Sequence, residues 1–121
     1  MNRIFEELNE IYSEHNNNYI PEWDEESITK KCLENTKYFL KNIPENLAEL
    51  TDPGIEPYDG CLTLEWYNYD NKNMISLSFD NKKRKMIYTY IIYDDKGSGI
   101  LTFEKSVPNE IIKWIERVVY E

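Results

Sequence analysis

Gly60-Cys-Leu-Thr-Leu-Glu-Trp-Tyr-Asn-Tyr-Asp-Asn-Lys-Asn-Met-Ile-Ser-Leu-Ser-Phe-Asp80 alternates apolar and polar residues on both sides of a polar turn. Leu62, Leu64 and Trp66 alternate with Cys61, Thr63, Glu65 and Tyr67. After the turn at 68–73, Ile75, Leu77 and Phe79 alternate with Ser76, Ser78 and Asp80. Successive strand side chains point to opposite faces, so this period of two predicts two half-buried strands joined as a hairpin. Asp80-Asn81-Lys82-Lys83 predicts the next turn, and 86–93, rich in Ile and Tyr and apolar on both sides, predicts a central strand. Asp94-Asp95-Lys96-Gly97-Ser98-Gly99 predicts a flexible turn before a fourth strand over 100–104. Connections this short favour an antiparallel meander.

Upstream the period is helical. Ile4, Phe5, Leu8, Ile11 and Tyr12 fall on one helix face and Glu6, Glu7, Glu10 and Glu14 on the other, until the polar run His15-Asn16-Asn17-Asn18 ends the pattern. A second helix is predicted from Asp24, with Ser27 as the alternative cap and Glu25 and Glu26 in the first turn, where the helix dipole favours negative charge. Ile28, Cys32, Leu33, Phe39, Leu40 and Ile43 form its apolar stripe, and Asn42 followed by Pro44 closes it. Residues 44–60, with Pro44, Pro53 and Pro57, read as a connecting segment that packs across the core, with room for a helical turn at 47–50. Beyond the strands, Val107, Ile111, Ile115 and Val118 make the stripe of a last helix near Pro108, with Ser106 as a cap and Trp114 off the edge of the stripe. The expectation is a single α+β domain over 1–121: a four-stranded antiparallel meander with two N-terminal helices and one C-terminal helix laid on one face.

Charge is unevenly placed. Residues 1–59 hold fourteen Asp/Glu against five Lys/Arg, whereas 60–121 hold nine of each, so the formal net charge of -9 belongs to the first half. Such a field repels nucleic acid and anionic lipid and attracts basic protein surfaces. The charged opening Met-Asn-Arg-Ile-Phe-Glu-Glu lacks the apolar run of a signal peptide, and no apolar stretch reaches a membrane span, which predicts a cytoplasmic protein. Cys32 and Cys61 lie far apart on different predicted elements, the placement of reduced core or half-buried thiols rather than of a disulfide framework.

Signs of chemistry are few. His15 is the only histidine and sits at the polar end of a helix, where it suits the dipole; a multi-histidine metal site is excluded. The acid pairs Glu6/Glu7, Glu25/Glu26 and Asp94/Asp95 are sequence neighbours, which point apart on a helix and are solvated in turns. With no nucleophile, base or phosphate loop legible, the chain reads as a non-enzyme without cofactor or metal. Lys82-Lys83-Arg84-Lys85, with Tyr88, Tyr90 and Tyr93, has the ingredients of a single-stranded RNA-binding sheet, but the cluster falls at a hairpin turn and the summed charge opposes a polyanion. Trp23, Trp66, Trp114 and ten tyrosines supply amphipathic area suited to protein interfaces.

Pro53-Gly-Ile-Glu-Pro-Tyr-Asp-Gly-Cys-Leu-Thr-Leu-Glu-Trp66 resembles a segment of small uncharacterised bacterial proteins that reads Pro-x-Val-x-Pro-x-x-Asp-Gly-Gly-x-x-Leu-Glu-Trp. The resemblance spans 22–103, including a Trp-Asp before the upstream helix (Trp23-Asp24); Cys61 replaces the second glycine, and the turn residues usual after Trp-Asp are absent. It implies company on mobile elements and in defence or toxin loci.

These readings lead to a non-catalytic acidic protein that neutralises a basic partner, such as a nuclease or nucleic-acid-binding effector, by masking its nucleic-acid-binding surface, as an antitoxin, an immunity protein or an anti-CRISPR does. Glu7, Glu10, Glu14, Glu25, Glu26 and Glu34 would stand in for phosphates, and Tyr19 and Trp23 would supply the apolar anchor. The alternatives are an acidic dimeric chaperone or an accessory subunit, followed by the RNA-binding sheet.

Overall fold

The computed structural model describes residues 2–17, 27–49, 51, 53–58, 60–80 and 83–121. In chain order the elements are α1 (Asn2–Asn17), α2 (Lys30–Lys41), α3 (Glu45–Glu49), β1 (Gly54–Tyr58), β2 (Cys61–Tyr67), β3 (Met74–Phe79), β4 (Lys85–Ile92), β5 (Asp95–Thr102) and α4 (Asn109–Tyr120). The strands form one antiparallel sheet in the order β1-β2-β3-β4-β5, and the helices gather on one of its faces.

The period-two hairpin is present as read. Leu62, Leu64 and Trp66 of β2 and Ile75, Leu77 and Phe79 of β3 are buried, and across the pair Leu64 faces Leu77 and Trp66 faces Ile75. Phe39, Phe79 and Phe103 meet edge to face or tilted, with centroids 5.2 to 6.0 Å apart, at the centre of the core. Ile111, Ile115 and Val118 of α4 and Ile4 and Leu8 of α1 close it from the helix side. Each such side chain contributes about 1.5–3 kcal/mol by leaving water.

Helix ends differ from the periodicity in instructive ways. α1 continues through His15 and Asn16 because the Asn16 amide grips Ile28 at both ends, Nδ2 donating to its carbonyl and Oδ1 accepting its N–H, each at 2.9 Å. α2 begins at Lys30 rather than near Asp24, since residues 27–29 are not helical; the cap is Thr29, whose Oγ1 accepts the Cys32 N–H at 3.1 Å. Its end is as read, with the Asn42 N–H donating to the Phe39 carbonyl at 3.0 Å before Pro44. Pro44 in turn opens α3, close to the turn anticipated at 47–50, and buries Leu47 and Ala48. In α4 the N-cap position belongs to Pro108, with no side-chain cap bond from Ser106 or any other residue.

The sheet has five strands, not four. The additional one, β1, lies in the segment read as a connection, where two prolines and a glycine hide the alternation; Ile55 faces Leu64 and Pro57 faces Leu62. Proline is tolerated because β1 is an edge strand. β4 is not central: β3 is, and the second apolar face of β4 meets solvent at Ile87 and Ile91, which are 57% and 36% exposed.

The run read as a flexible turn, 94–99, is mostly strand. β4 and β5 join through only Tyr93 and Asp94, with Tyr93 at φ 55 and Ile92 paired to Asp95. Gly97 and Gly99 are not turn residues. They lie under the rings of Tyr90 and Tyr88, which come within 2.6 and 2.7 Å of where a Cβ would stand. Trp114 of α4 stacks on the Tyr90 ring at 4.4 Å and lies tilted against the Tyr88 ring at 5.1 Å.

Candidate functional site

The N-terminal acids can be placed one by one. Glu10 and Glu14 are exposed on α1, and Glu7 is half-buried. Glu34 is exposed on α2, but that helix also carries Lys30, Lys31, Lys37 and Lys41. Lys37 Nζ donates to Asn9 Oδ1 of α1 at 2.7 Å, and Lys41 Nζ lies 5.6 Å from the centroid of Phe5. The flank of α1 that meets α2 is therefore bordered by cations rather than by further acids. Tyr19, Trp23, Glu25 and Glu26 lie outside the described residues.

On its other side α1 packs against β1 and α3. In a meander, order along the chain becomes order in space. α1, α3 and β1, whose charged residues are all acidic except Arg3, share one flank of the molecule, while β4 and β5 at the opposite edge set Lys85 and Lys96 against Asp95. The asymmetry of the sequence is thereby converted into a charge gradient across the sheet.

Around the acidic flank runs a concavity of about 1100 Å³, which extends from the helix-free face of β1, β2 and β3 to the last turn of α4. Register places Glu56 beside Thr63, with Ser78 beyond it, and Gly54 beside Glu65, with Ser76 beyond. Glu56 and Glu65 are thus diagonal neighbours on one face, close enough for both to engage a single cationic group. A Cβ on Gly54 would meet only the Glu65 carbonyl, at 3.8 Å, so this glycine leaves open space beside the carboxylate. Thr63 Oγ1 and Ser78 Oγ share a hydrogen bond of 2.9 Å and line the floor.

Aromatic rings form the rim. Tyr67 and Tyr69 meet edge to face at 4.7 Å, and Tyr69 is 86% exposed. Their loop is tied down by Asn68, whose Oδ1 accepts the Asp70 N–H at 3.0 Å and whose Nδ2 donates to the Val118 carbonyl at 3.0 Å. Tyr120, at the end of α4, accepts a hydrogen bond from Asn46 Nδ2 at 3.0 Å. Carboxylates, hydroxyls and exposed phenol faces together suit an ammonium or guanidinium group, by charge-assisted hydrogen bonding and by cation–π contact. Sequence reading assigned Glu65 to a polar strand face but left Glu56 in a connecting loop; the alternation Ile55, Glu56, Pro57 was the available signal.

Other sequence candidates are occupied structurally. His15 is half-buried in the last turn of α1, with Nε2 buried and unpartnered among the described residues. Tyr88 and Tyr90 lie on the helix side of the sheet against Trp114, so the helix-free face of β4 carries Ile87, Thr89 and Ile91 instead. Arg84 stacks its guanidinium 3.6 Å from the centroid of Tyr38. Neither Cys32 nor Cys61 takes part in a disulfide among the described residues. Burial pushes the Cys32 thiol up to about 12, with a smaller rise from Cys61 opposed by the hydrogen bond from the Leu62 N–H.

Among the described residues no three His, Cys, Asp or Glu side chains converge to hold a metal ion, and no helix is long and apolar enough to cross a membrane. No family model, no curated protein and no solved structure matches the chain.

Proposed function

We propose that this chain is a non-catalytic acidic binding protein that captures a cationic protein surface along its β1 flank and masks it from nucleic acid, as an antitoxin, an immunity protein or an anti-CRISPR does. The observation that carries the reading is the register that brings Glu56 of β1 and Glu65 of β2 together on the helix-free face, at the edge against which the acid-bearing α1 packs. Lysine and arginine side chains of the partner enter the cleft between Glu56 and Glu65 and lie against Tyr67 and Tyr69. Tyrosine at the rim buries much area for little conformational entropy, while the acids steer encounter and fix orientation. The likeness of residues 53–66 to proteins of mobile elements and defence loci is in keeping with such a role.

Titration of a short fluorescent arginine-rich peptide tests the reading. Binding is expected at low ionic strength, weakening as salt is raised to about 0.15 M. Glu56→Gln with Glu65→Gln is expected to weaken it about tenfold, the effect of losing roughly 1.4 kcal/mol of charge-assisted contact. Absence of binding at low salt overturns the proposal.

A further inference from the structure

We propose that two copies of this chain join through their β5 strands, in antiparallel register about Ser98, to form a continuous ten-stranded sheet. The two edges of the sheet are built differently. In an antiparallel ladder, residues alternately turn their backbone groups toward and away from the neighbouring strand. The hairpin pair Tyr58 and Cys61 directs Tyr58, Glu56 and Gly54 toward β2, so the outward positions of β1 fall to Pro57 and Ile55, with Pro53 just before the strand. Proline has no N–H to offer, and this edge is closed to strand addition.

At the other edge, the Phe103 N–H donates to the Arg84 carbonyl at 2.9 Å, continuing the ladder in which Asp95, Gly97, Gly99 and Leu101 face β4. Lys96, Ser98, Ile100 and Thr102 therefore present their backbone N–H and C=O groups outward, and all four residues are exposed. Beyond the charged Asp95-Lys96 at its start no proline or bulge blunts this strand, and Ile100, 63% exposed, stands beside Ile87, 57% exposed. Such an edge is a template for another strand.

Charge selects a second copy as the occupant. Pairing Ser98 with its symmetry mate sets Lys96 against Ile100 and Asp94 against Thr102, whose neighbour on β4 is Lys85. The acidic start of each β5 thus lies across Thr102 from Lys85 on β4 of the other copy, and the Lys96 stem lies over Ile100 and Ile87 of that copy. The same geometry keeps the acidic flanks apart. They occupy the two far edges of the combined sheet, separated by about 43 Å at 4.8 Å per strand, several times the screening length of about 8–10 Å. Two chains of like net charge can therefore associate at this edge with little mutual repulsion, and the dimer presents two cation-binding flanks facing away from each other.

Light scattering on the eluting full-length chain over a concentration series tests this. Relative to the 14.6 kDa chain, a species of twice that mass is expected. Ser98→Pro removes the outward N–H on the symmetry axis without touching the β4 ladder, and Ile100→Lys places charges across the seam. Each is expected to raise the dimer dissociation constant about tenfold or more, with far-UV circular dichroism unchanged. Ser98→Cys is expected to cross-link the dimer under mild oxidation. A monomer at every concentration overturns the proposal, and so does a dimer that survives both Ser98→Pro and Ile100→Lys, since its interface then lies elsewhere. Neither result bears on cationic-peptide binding, which a monomer would retain.

Discussion

The Tyr90 ring lies over Gly97 of the neighbouring strand, with its Cε1 2.6 Å from the point a Cβ would occupy. An aromatic side chain thus covers a strand glycine, and Trp114 clamps the ring from above at 4.4 Å. Gly→Ala in an extended strand ordinarily stabilises by about 0.4–1 kcal/mol through the unfolded state. Here the sign reverses, because the new methyl must displace Tyr90 and open the stack. Gly97→Ala is predicted to destabilise by about 1–3 kcal/mol, measured by urea unfolding, with a shift in Trp114 emission. Stabilisation instead would show that the ring moves freely.

Cys32 is a buried thiol whose sulfur accepts the Leu62 N–H at 3.1 Å and donates to the Phe79 carbonyl at 3.4 Å. Burial raises it from 9.0 to about 12, so the folded state retains a proton that the unfolded chain releases. Its contribution is intact below pH 9 and declines toward pH 12, by at most about 1.4 kcal/mol per pH unit. The stability advantage of the native chain over Cys32→Ala is predicted to shrink between pH 8 and about 10.5 in urea melts. An advantage constant with pH would assign the whole effect to packing.

Asn73 is 1% exposed and joins two hairpins, its Oδ1 accepting the Tyr93 N–H at 2.7 Å and its backbone N–H donating to Asn71 Oδ1 at 2.9 Å. Tyr93 holds a positive φ of 55, which this bond helps to fix. Asn73→Ala is predicted to cost about 0.5–1.5 kcal/mol, the net worth of the bond that the Tyr93 N–H loses, because the Asn73 Nδ2 removed with it is buried and unpartnered among the described residues. Amide exchange at Tyr93 reports the same loss, and an unchanged rate would contradict it.

Arg84 and Lys83 are neighbours with different roles. Arg84 stacks on Tyr38, whose hydroxyl donates to the Glu104 carbonyl at 3.1 Å, whereas the Lys83 side chain is exposed. Arg84→Gln is predicted to lower stability by about 0.5–1 kcal/mol, and Lys83→Gln to leave thermal unfolding unchanged. Equal effects would remove the distinction.

The β2–β3 hairpin, the stripes of α2 and α4 and the antiparallel order were legible because one local period carried each of them. β1 was not legible, because Pro53, Gly54 and Pro57 carry a turn signature that only its edge position makes compatible with a strand. β5 was misread for a related reason: Gly97 and Gly99 are small on account of Tyr90 and Tyr88 on the next strand, a tertiary demand invisible along the chain. The charge asymmetry was legible, but not its spatial form. Glu34 belongs by sequence with the acids of α1, yet α2 carries lysines at Lys30, Lys31, Lys37 and Lys41, while Glu56 and Glu65, on separate strands, are brought together by register.

Amide chemical shifts, followed while an arginine-rich peptide is added to the isotope-labelled chain at low salt, test the cation-binding assignment most directly. Perturbations are predicted at Glu10, Glu14, Glu56, Glu65, Tyr67 and Tyr69, with Lys85 and Lys96 unaffected. Shifts centred on β4 and β5, or none at all, would contradict it.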